Sequence, residues 1–539
     1  MYTYVTPPKA MAAHSSGTLL LMSVLLLVGA LALASSLLMP AINTSADLRA
    51  FKPALASEQA LRARILRGGN LERSDVANNW EDNLMDDFYE EEEQEQRDVG
   101  RTTQYQAKRY GETEGVKPEA ITAARRLWEQ LDEPKALPPW DERNAKPQFL
   151  QADGNPCWTS DSGKNVCLPL VHVIGPFQCA TDDLLARLKH HPAIKVGRTS
   201  KSHFFYEPRT IVEATSHFVD HADALAASSQ ADGGKHDAVG IDASPGTFSF
   251  YLAHTADRTM RKWKDSMGAC HKECHSDGRG AEAADACMDE KCFERGIEVQ
   301  QSAERELGAR VEVPHLVKAM QGSNVRLVAM LRNPVDRLHA SFYFHDHYRM
   351  HYGANPEGFR RFANETVSMM RLCRRHVAAR SLVTEEEATR ECALRFETHG
   401  MVFEKEFFHC DQAIRSLYDV FAETWADVFS GGELLLLKAE DYFERPADTL
   451  QAVADHLQIR AFDGDVLQRA LREKLVRNAD GRRDSGSGPG GSPAGTVMDA
   501  STRALLEEFY APHNRRLQQI VAGGAVRTLA GTTFTWGYE

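Results

Sequence analysis

The chain has 539 residues, with 63 Lys+Arg against 76 Asp+Glu and a formal charge of −13. That length allows two or three domains, or one large domain with appendages. The acidic balance excludes a general nucleic-acid binder, which carries a basic footprint, and the composition excludes collagen-like and fully disordered classes.

In chain order, the first feature is an apolar run from Leu19 to Met39, inside an uncharged stretch between Lys9 and Asp47. About twenty such residues span a bilayer core. We read residues 1–17 as a cytoplasmic tail and 18–39 as a transmembrane signal-anchor of a single-pass type II protein. A cleaved signal peptide is the alternative, since Ala32-Leu33-Ala34 before Ser35 fits an A-x-A site. Residues 40–150 form a polar, acidic stem with no sustained apolar period before Ile121–Leu131. Ten carboxylates and one Arg lie between Glu81 and Asp98, so the rest of the chain is close to neutral and can hold a basic groove for an anion.

From residue 151 to 539 the texture is strand followed by helix. Leu168–Ile174 is an apolar run suited to a buried parallel strand. Gly175-Pro176 breaks it, and Thr181-Asp182-Asp183 opens a helix with Leu184, Leu185 and Leu188 on one face. Ala238–Ile241, Val325–Leu331 and Leu434–Leu437 read as further strands. Helices are expected from Asp336, through Ile414, Leu417, Phe421 and Val428, and from Ser501 to Val521. Residues 481–496 are a flexible Gly/Ser loop. The alternation predicts an α/β fold: a P-loop-like central parallel sheet of four or five strands flanked by helices, behind the N-terminal transmembrane helix.

Ten cysteines suit an oxidising compartment. Cys270, Cys274, Cys287 and Cys292 read as two short helices clamped by two disulfides, a disulfide-rich helical insertion near 256–312. A zinc site with His271 or His275 is the alternative. Cys157 with Cys167, and Cys373 with Cys392, are further candidate pairs, and the sequence does not fix the connectivity. The sequon Asn364-Glu365-Thr366 is compatible with a lumenal setting.

Gly175 to Thr181 occupies a strand–turn–helix junction, where backbone N–H groups and the helix dipole favour an anion. It is not a Walker loop, because GK[ST] is missing. Val173-Ile174-Gly175, Thr181, Leu184, Leu188 and His191-Pro192 follow the pattern IGxPKxGTTxL with a trailing HP. Ser202-His203-Phe204-Phe205 follows KEPHFF, and Gly240 with Asp242-Ala243-Ser244-Pro245 follows GDASP. Leu331-Arg332-Asn333-Pro334-Val335-Asp336-Arg337 follows LRNPVxR almost verbatim. Leu435–Leu437 with Glu440-Asp441-Tyr442 follows LxLRLEDY, and Thr502-Arg503 through Asn514 follows TRxxLxxFYxPxN. With these segments in order, residues 155–539 resemble the Golgi-type carbohydrate (glycosaminoglycan) sulfotransferases. The placing of Cys157, Cys167, Cys373 and Cys392 is similar to the N-acetylgalactosamine 4-sulfate 6-O-sulfotransferase branch.

The resemblance implies an enzyme of the Golgi membrane, with a lumenal catalytic domain. It would transfer a sulfuryl group from 3′-phosphoadenosine 5′-phosphosulfate, a diffusible co-substrate, to a carbohydrate hydroxyl, without a metal. Gly175, Gln178, Cys179, Ala180 and Thr181 would hold the 5′-phosphosulfate, and Arg332 and Ser341 the 3′-phosphate. Nucleic acid is not a partner, and the oligomeric state is open, a homodimer included. The sequence departs from the pattern where the chemistry is concentrated. The loop Lys falls on Gln178, its second Gly on Ala180, its second Thr on Asp182, and the Glu of KEPHFF on Lys201. The 3′-element Ser falls on Ala340, one position before Ser341, and one position turns a helix by about 100°. Two readings follow. Either catalysis is rearranged, with Lys201 supplying the missing cation and His203 or Glu207 the base, or the chain is a catalytically impaired lumenal glycan-binding or scaffold protein.

Overall fold

The structure is a computed structural model that describes residues 118–131, 140–141, 146–147, 155–206, 211–231, 238–250, 257–276, 287, 291–380, 384–400, 410–473 and 497–538. The expected tail and anchor, the acidic run, Glu207 and the loop 481–496 lie outside them. Among the described residues no helix is long and apolar enough to cross a membrane.

In chain order the elements around the site are α1 (Pro118–Leu131), the hairpin β1 (Cys157–Thr159) and β2 (Asn165–Cys167), β3 (Val171–Gly175), α2 (Thr181–Leu188), β4 (Ile194–Val196) and β5 (Val239–Asp242). There follow β6 (Arg326–Leu331), α3 (Pro334–Phe344), α4 (Pro356–Arg380), α5 (Tyr418–Val428), β7 (Leu434–Lys438), α6 (Ala439–Glu444), α7 (Ala500–Ala522) and β8 (Arg527–Thr528). Six strands form one sheet in the order β8-β7-β6-β3-β5-β4, and every neighbouring pair is parallel. The four strands expected from apolar runs are present. The sheet has two more than those four, because β4 and β8 are three and two residues long and give no run to detect.

Alternation along β6 explains why these strands are apolar throughout. Leu327, Ala329 and Leu331 enter one core, and Val328 and Met330 enter the other, on the opposite face of the sheet. Both faces are covered, so Leu327 through Leu331 are all buried, and each buried Leu or Val contributes roughly 1.5–3 kcal/mol. Helix α2 lays Leu184, Leu185 and Leu188 into the second core. Its Asp183 accepts hydrogen bonds from Arg187 Nε at 2.9 Å and from the Tyr442 hydroxyl of α6, which fixes the helix against the sheet.

Three expectations change. The folded unit starts before residue 151: α1, assigned above to the stem, buries Ala124, Leu127 and Trp128. Trp128 Nε1 donates to Leu316 O at 3.0 Å, and its ring stacks on Phe204 at 5.5 Å. The helix expected through Ile414 and Val428 is interrupted. A single turn, Asp411–Ile414, precedes α5, and Leu417 between them has a non-helical ψ of 68°. The buried Arg415 at the break donates to Ser249 O, to Asp411 and to Glu397 Oε2, and those bonds stabilise the departure from a continuous helix. The sequon lies inside α4 with Thr366 fully buried, so the folded chain does not present it as a loop.

The insertion has the expected form of two helices, Asp257–Ser276 and Phe293–Leu307, bridged by Cys270–Cys292 and Cys274–Cys287. Cys270, Cys274 and Cys292 lie close enough together to suggest a metal cluster. All of them are consumed in disulfides, so the zinc alternative fails for want of thiolates. Cys157–Cys167 ties β1 to β2, and Cys373–Cys392 ties α4 to the helix Glu385–Gly400.

Candidate functional site

Open parallel sheets bind ligands beyond the carboxyl ends of their strands, where the strand order reverses. Here that point is β3: the next strands in sequence, β4 and β5, lie to one side of it, and β6 and β7 to the other. Its last residue, Gly175, has φ +110°, and a Cβ there would sit 1.7 Å from Pro245 O. Only glycine lets the chain leave β3 against the turn that follows β5. Gln178 and Ala180 then take φ of +63° each, and Ala180 is the N-cap of α2.

Two arginines decide which way this loop faces. Arg337 Nε donates to Phe177 O at 2.8 Å, and Arg332 Nη1 donates to Gln178 O at 3.3 Å. With those carbonyls held by guanidinium groups, the N–H groups of Cys179, Ala180 and Thr181 have no acceptor among the described residues. They form a concave row of donors at the positive end of α2.

The arginines differ in what else they bind. Arg337 also donates to Gln412 O, Ser416 Oγ and Gln412 Oε1 at 2.7–3.1 Å, so its charge is spread over neutral acceptors in the core. Arg332, just beyond β6, is 3% exposed, and the loop carbonyl is the one hydrogen-bond partner of its side chain among the described residues. It has no carboxylate partner among the described residues. A buried guanidinium without a counter-ion is costly, and its natural complement is an anion beside the loop. An open cleft elsewhere on the chain makes the contrast. Its lining Arg390 and Arg516 both bind Glu423, and Arg516 also binds Glu386.

The surroundings of Arg332 are built to hold it. The buried Tyr418 hydroxyl donates to Arg332 O at 2.8 Å and lies 3.8 Å from Cys179 Sγ. Asn333 Oδ1 caps α3 through Val335 N, and Asn333 N donates to Glu440 Oε1 at 2.8 Å. Burial pushes the Cys179 thiol up to about 11, an effect that the nearby arginines reduce but do not cancel, so it stays protonated rather than acting as a nucleophile.

The remaining candidates are brought in from β5. Asp242 accepts Ser202 N at 2.7 Å and Ser244 N at 3.0 Å, while Ser244 Oγ accepts His203 N at 2.9 Å. Burial by itself would raise the Asp242 carboxyl, but the hydrogen bond from His217 and the neighbouring His172 hold it well below the usual carboxylate range. This clamp sets His203 in a left-handed conformation, φ +55°, with Nδ1 on the Tyr206 hydroxyl. Lys201 is half-exposed and its Nζ lies 2.6 Å from Asp182 Oδ1, at the start of α2. Ser341 is fully buried, and its Oγ has no hydrogen-bond partner among the described residues. It lies one turn beyond Arg337 on α3.

No family model matches the chain. Over 371 residues it is 23% identical to carbohydrate sulfotransferase 15 of Homo sapiens, and over 370 residues 22% identical to the Mus musculus protein of that name. These matches support a relationship to the carbohydrate sulfotransferases. The human match covers 67% of this chain and 54% of the relative, so the chain spans about half the length of the curated relatives it matches. Two solved structures overlap it at low TM-score. The crystal structure of a sulfotransferase from Alicyclobacillus acidocaldarius is 15% identical and covers 66% of this chain and 97% of that one, at a TM-score of 0.29. The sulfotransferase domain from the Synechococcus PCC 7002 olefin synthase is 12% identical and covers 67% and 98%, at 0.21.

In this carbohydrate sulfotransferase relative, then, Gly175, Gln178, Cys179, Ala180, Thr181 and Arg332 converge, and Lys201 approaches through Asp182. Sequence reasoning gave no role to Arg337, Tyr418 or Asp242. Two of these stand inside quoted motifs, LRNPVDR and DASP, so a signal existed; Tyr418 had none.

Proposed function

We propose that the chain transfers a sulfuryl group from 3′-phosphoadenosine 5′-phosphosulfate to a hydroxyl of a carbohydrate, glycosaminoglycan-like acceptor. The observation that carries this reading is the buried Arg332 that has no carboxylate partner among the described residues, beside a loop whose residue 179–181 N–H groups have no acceptor among them. One anion at each would suit a nucleotide phosphorylated at both ends of its ribose. The N–H groups of residues 179–181 would hold the 5′-phosphosulfate, and Arg332, with Ser341, the 3′-phosphate. As the acceptor oxygen bonds to sulfur, the bond from sulfur to the 5′-phosphate oxygen breaks and adenosine 3′,5′-bisphosphate leaves. The charge that grows on the departing oxygen is met by loop donors fixed before the reaction, worth about 3–4 kcal/mol per donor at such sites. The acceptor proton goes to His203 or Glu207, imidazole being suited to proton uptake near neutral pH. The reaction asks for no metal. Residues 18–39 would hold the enzyme in the Golgi membrane with this domain lumenal.

A second reading, a lumenal glycan-binding protein without transfer, is favoured by one observation: Asp182 neutralises Lys201 where the loop has lost its own lysine. The test incubates the purified full-length chain with the sulfate donor and a panel of desulfated glycosaminoglycans, beside Arg332→Ala and Lys201→Glu. Sulfate incorporation that Arg332→Ala reduces at least a hundredfold supports transfer. Donor binding with no incorporation across the panel overturns it in favour of the second reading.

A further inference from the structure

Asp182 and Lys201 stand 19 positions apart in sequence and meet at 2.6 Å, at the first turn of α2. Each is a replacement by itself: an anion where a hydroxyl is expected, a cation where a carboxylate is expected. Together they cancel. The bonds of Ser202 N to Asp242 and His203 N to Ser244 hold the backbone next to Lys201 against the end of β5. Both side chains are about a quarter to a third exposed, 26% and 31%, and can exchange partners with a solute. Arg332, buried and without a carboxylate partner among the described residues, marks the same strand ends as an anion site independently of the pair.

We propose that Asp182 is an internal counter-ion that holds Lys201 until an anionic ligand displaces it, and so sets the site's affinity and selectivity for that ligand. The proposal rests on the anion-site reading given above. In the empty site the pair is closed. When a phosphosulfate or phosphate reaches the loop, the ammonium turns from the carboxylate to the ligand oxygens, and Asp182 is left as a near anion. The ligand therefore has to outbid one carboxylate. Weakly charged solutes fail to open the pair, whereas a doubly charged phosphate end succeeds. The aspartate thus raises selectivity at the expense of affinity.

The test measures binding of adenosine 3′,5′-bisphosphate to the purified full-length chain by calorimetry, for wild type, Asp182→Asn, Lys201→Met and the double variant. Removing the competitor and its repulsion should tighten binding about tenfold, the sum of an exposed ion pair and a charge at a helix N-terminus. Lys201→Met should weaken it, and Asp182→Asn should gain at most half as much, in log units, when made in Lys201→Met. Equal gains with and without Lys201 would reduce Asp182 to a nearby charge and overturn the proposal, as would no gain at all. Asp182→Thr, which puts an uncharged hydroxyl side chain at this position, should repeat the gain and guards against a folding defect in the Asn variant. If no form binds the bisphosphate, or if Arg332→Ala leaves binding unchanged, the anion-site reading itself fails, a result distinct from loss of the coupling.

Discussion

Replacing Arg332 by Met separates a ligand-binding arginine from a structural one, because Arg337 four residues into the next helix serves as its control. Arg332 is 3% exposed, makes one hydrogen bond at 3.3 Å, and faces no carboxylate among the described residues. Its removal loses about 1 kcal/mol for that bond and relieves the desolvation of a guanidinium, several kcal/mol in a fully dry site. The folded state should therefore stay within about 1 kcal/mol of wild type, or exceed it, by urea denaturation. Binding should behave oppositely. Truncating one partner of a buried, hydrogen-bonded charge pair costs about 2–5 kcal/mol, so the dissociation constant for adenosine 3′,5′-bisphosphate should rise roughly 30- to 4,000-fold. Arg337→Met removes four bonds, to Phe177 O, Gln412 O, Gln412 Oε1 and Ser416 Oγ. It should cost about 3–5 kcal/mol of stability. If Arg332→Met destabilises as much as Arg337→Met while binding is unchanged, Arg332 is a structural residue and the reasoning is refuted.

Three further outcomes follow from the packing. Burial pushes His221, His339 and His456 down to about 4, below the unfolded value of about 6.5. The folded state binds fewer protons in that window, so stability is complete above pH 6.5 and falls as pH drops toward 4, each histidine contributing on the order of 1–3 kcal/mol. The urea midpoint should drop between pH 7 and 5, with a shallower slope in His456→Gln; a flat profile contradicts the burial. Non-reducing peptide mapping should recover Cys157–Cys167, Cys270–Cys292, Cys274–Cys287 and Cys373–Cys392, with Cys179 and Cys410 alkylated only after unfolding. Early labelling of Cys179 would mean that the loop is open. Gly175→Ala places a methyl 1.7 Å from Pro245 O at φ +110°. It should cost more than about 3 kcal/mol or abolish nucleotide binding, checked by denaturation and calorimetry, and wild-type behaviour would refute the tight passage.

Strands whose neighbours cover both faces were legible as apolar runs, and Gly175-Pro176 and Asn333-Pro334 announced where they stop. The short edge strands were not, because two or three residues carry no period. Helix α1 showed as the apolar period Ile121–Leu131 but its polar flanks placed it in the stem, although Ala120, Ala123, Ala124, Leu127 and Trp128 fall on one helical face. The break before α5 was hidden for the opposite reason: the apolar spacing runs straight through Arg415, whose buried bonds to Ser249 and Glu397 come from distant segments. At the site, the LRNP pattern pointed to Arg332 and the strand–turn–helix junction to the loop, and the structure sets the two in contact. Lys201 and Asp182 could each be identified as a departure, but their contact depends on the Asp242 clamp, a tertiary arrangement that no spacing rule encodes.

The wholly parallel sheet bears on how this chain is made. Val171 in the central strand pairs with Ile241 on one side and with Arg326, about 155 positions later, on the other. During synthesis the strand that ends at Gly175 has an open, sticky flank until that distant partner emerges. Assembly of the crevice is thus a late event, and nascent chains halted before residue 331 should be the ones that chaperones retain.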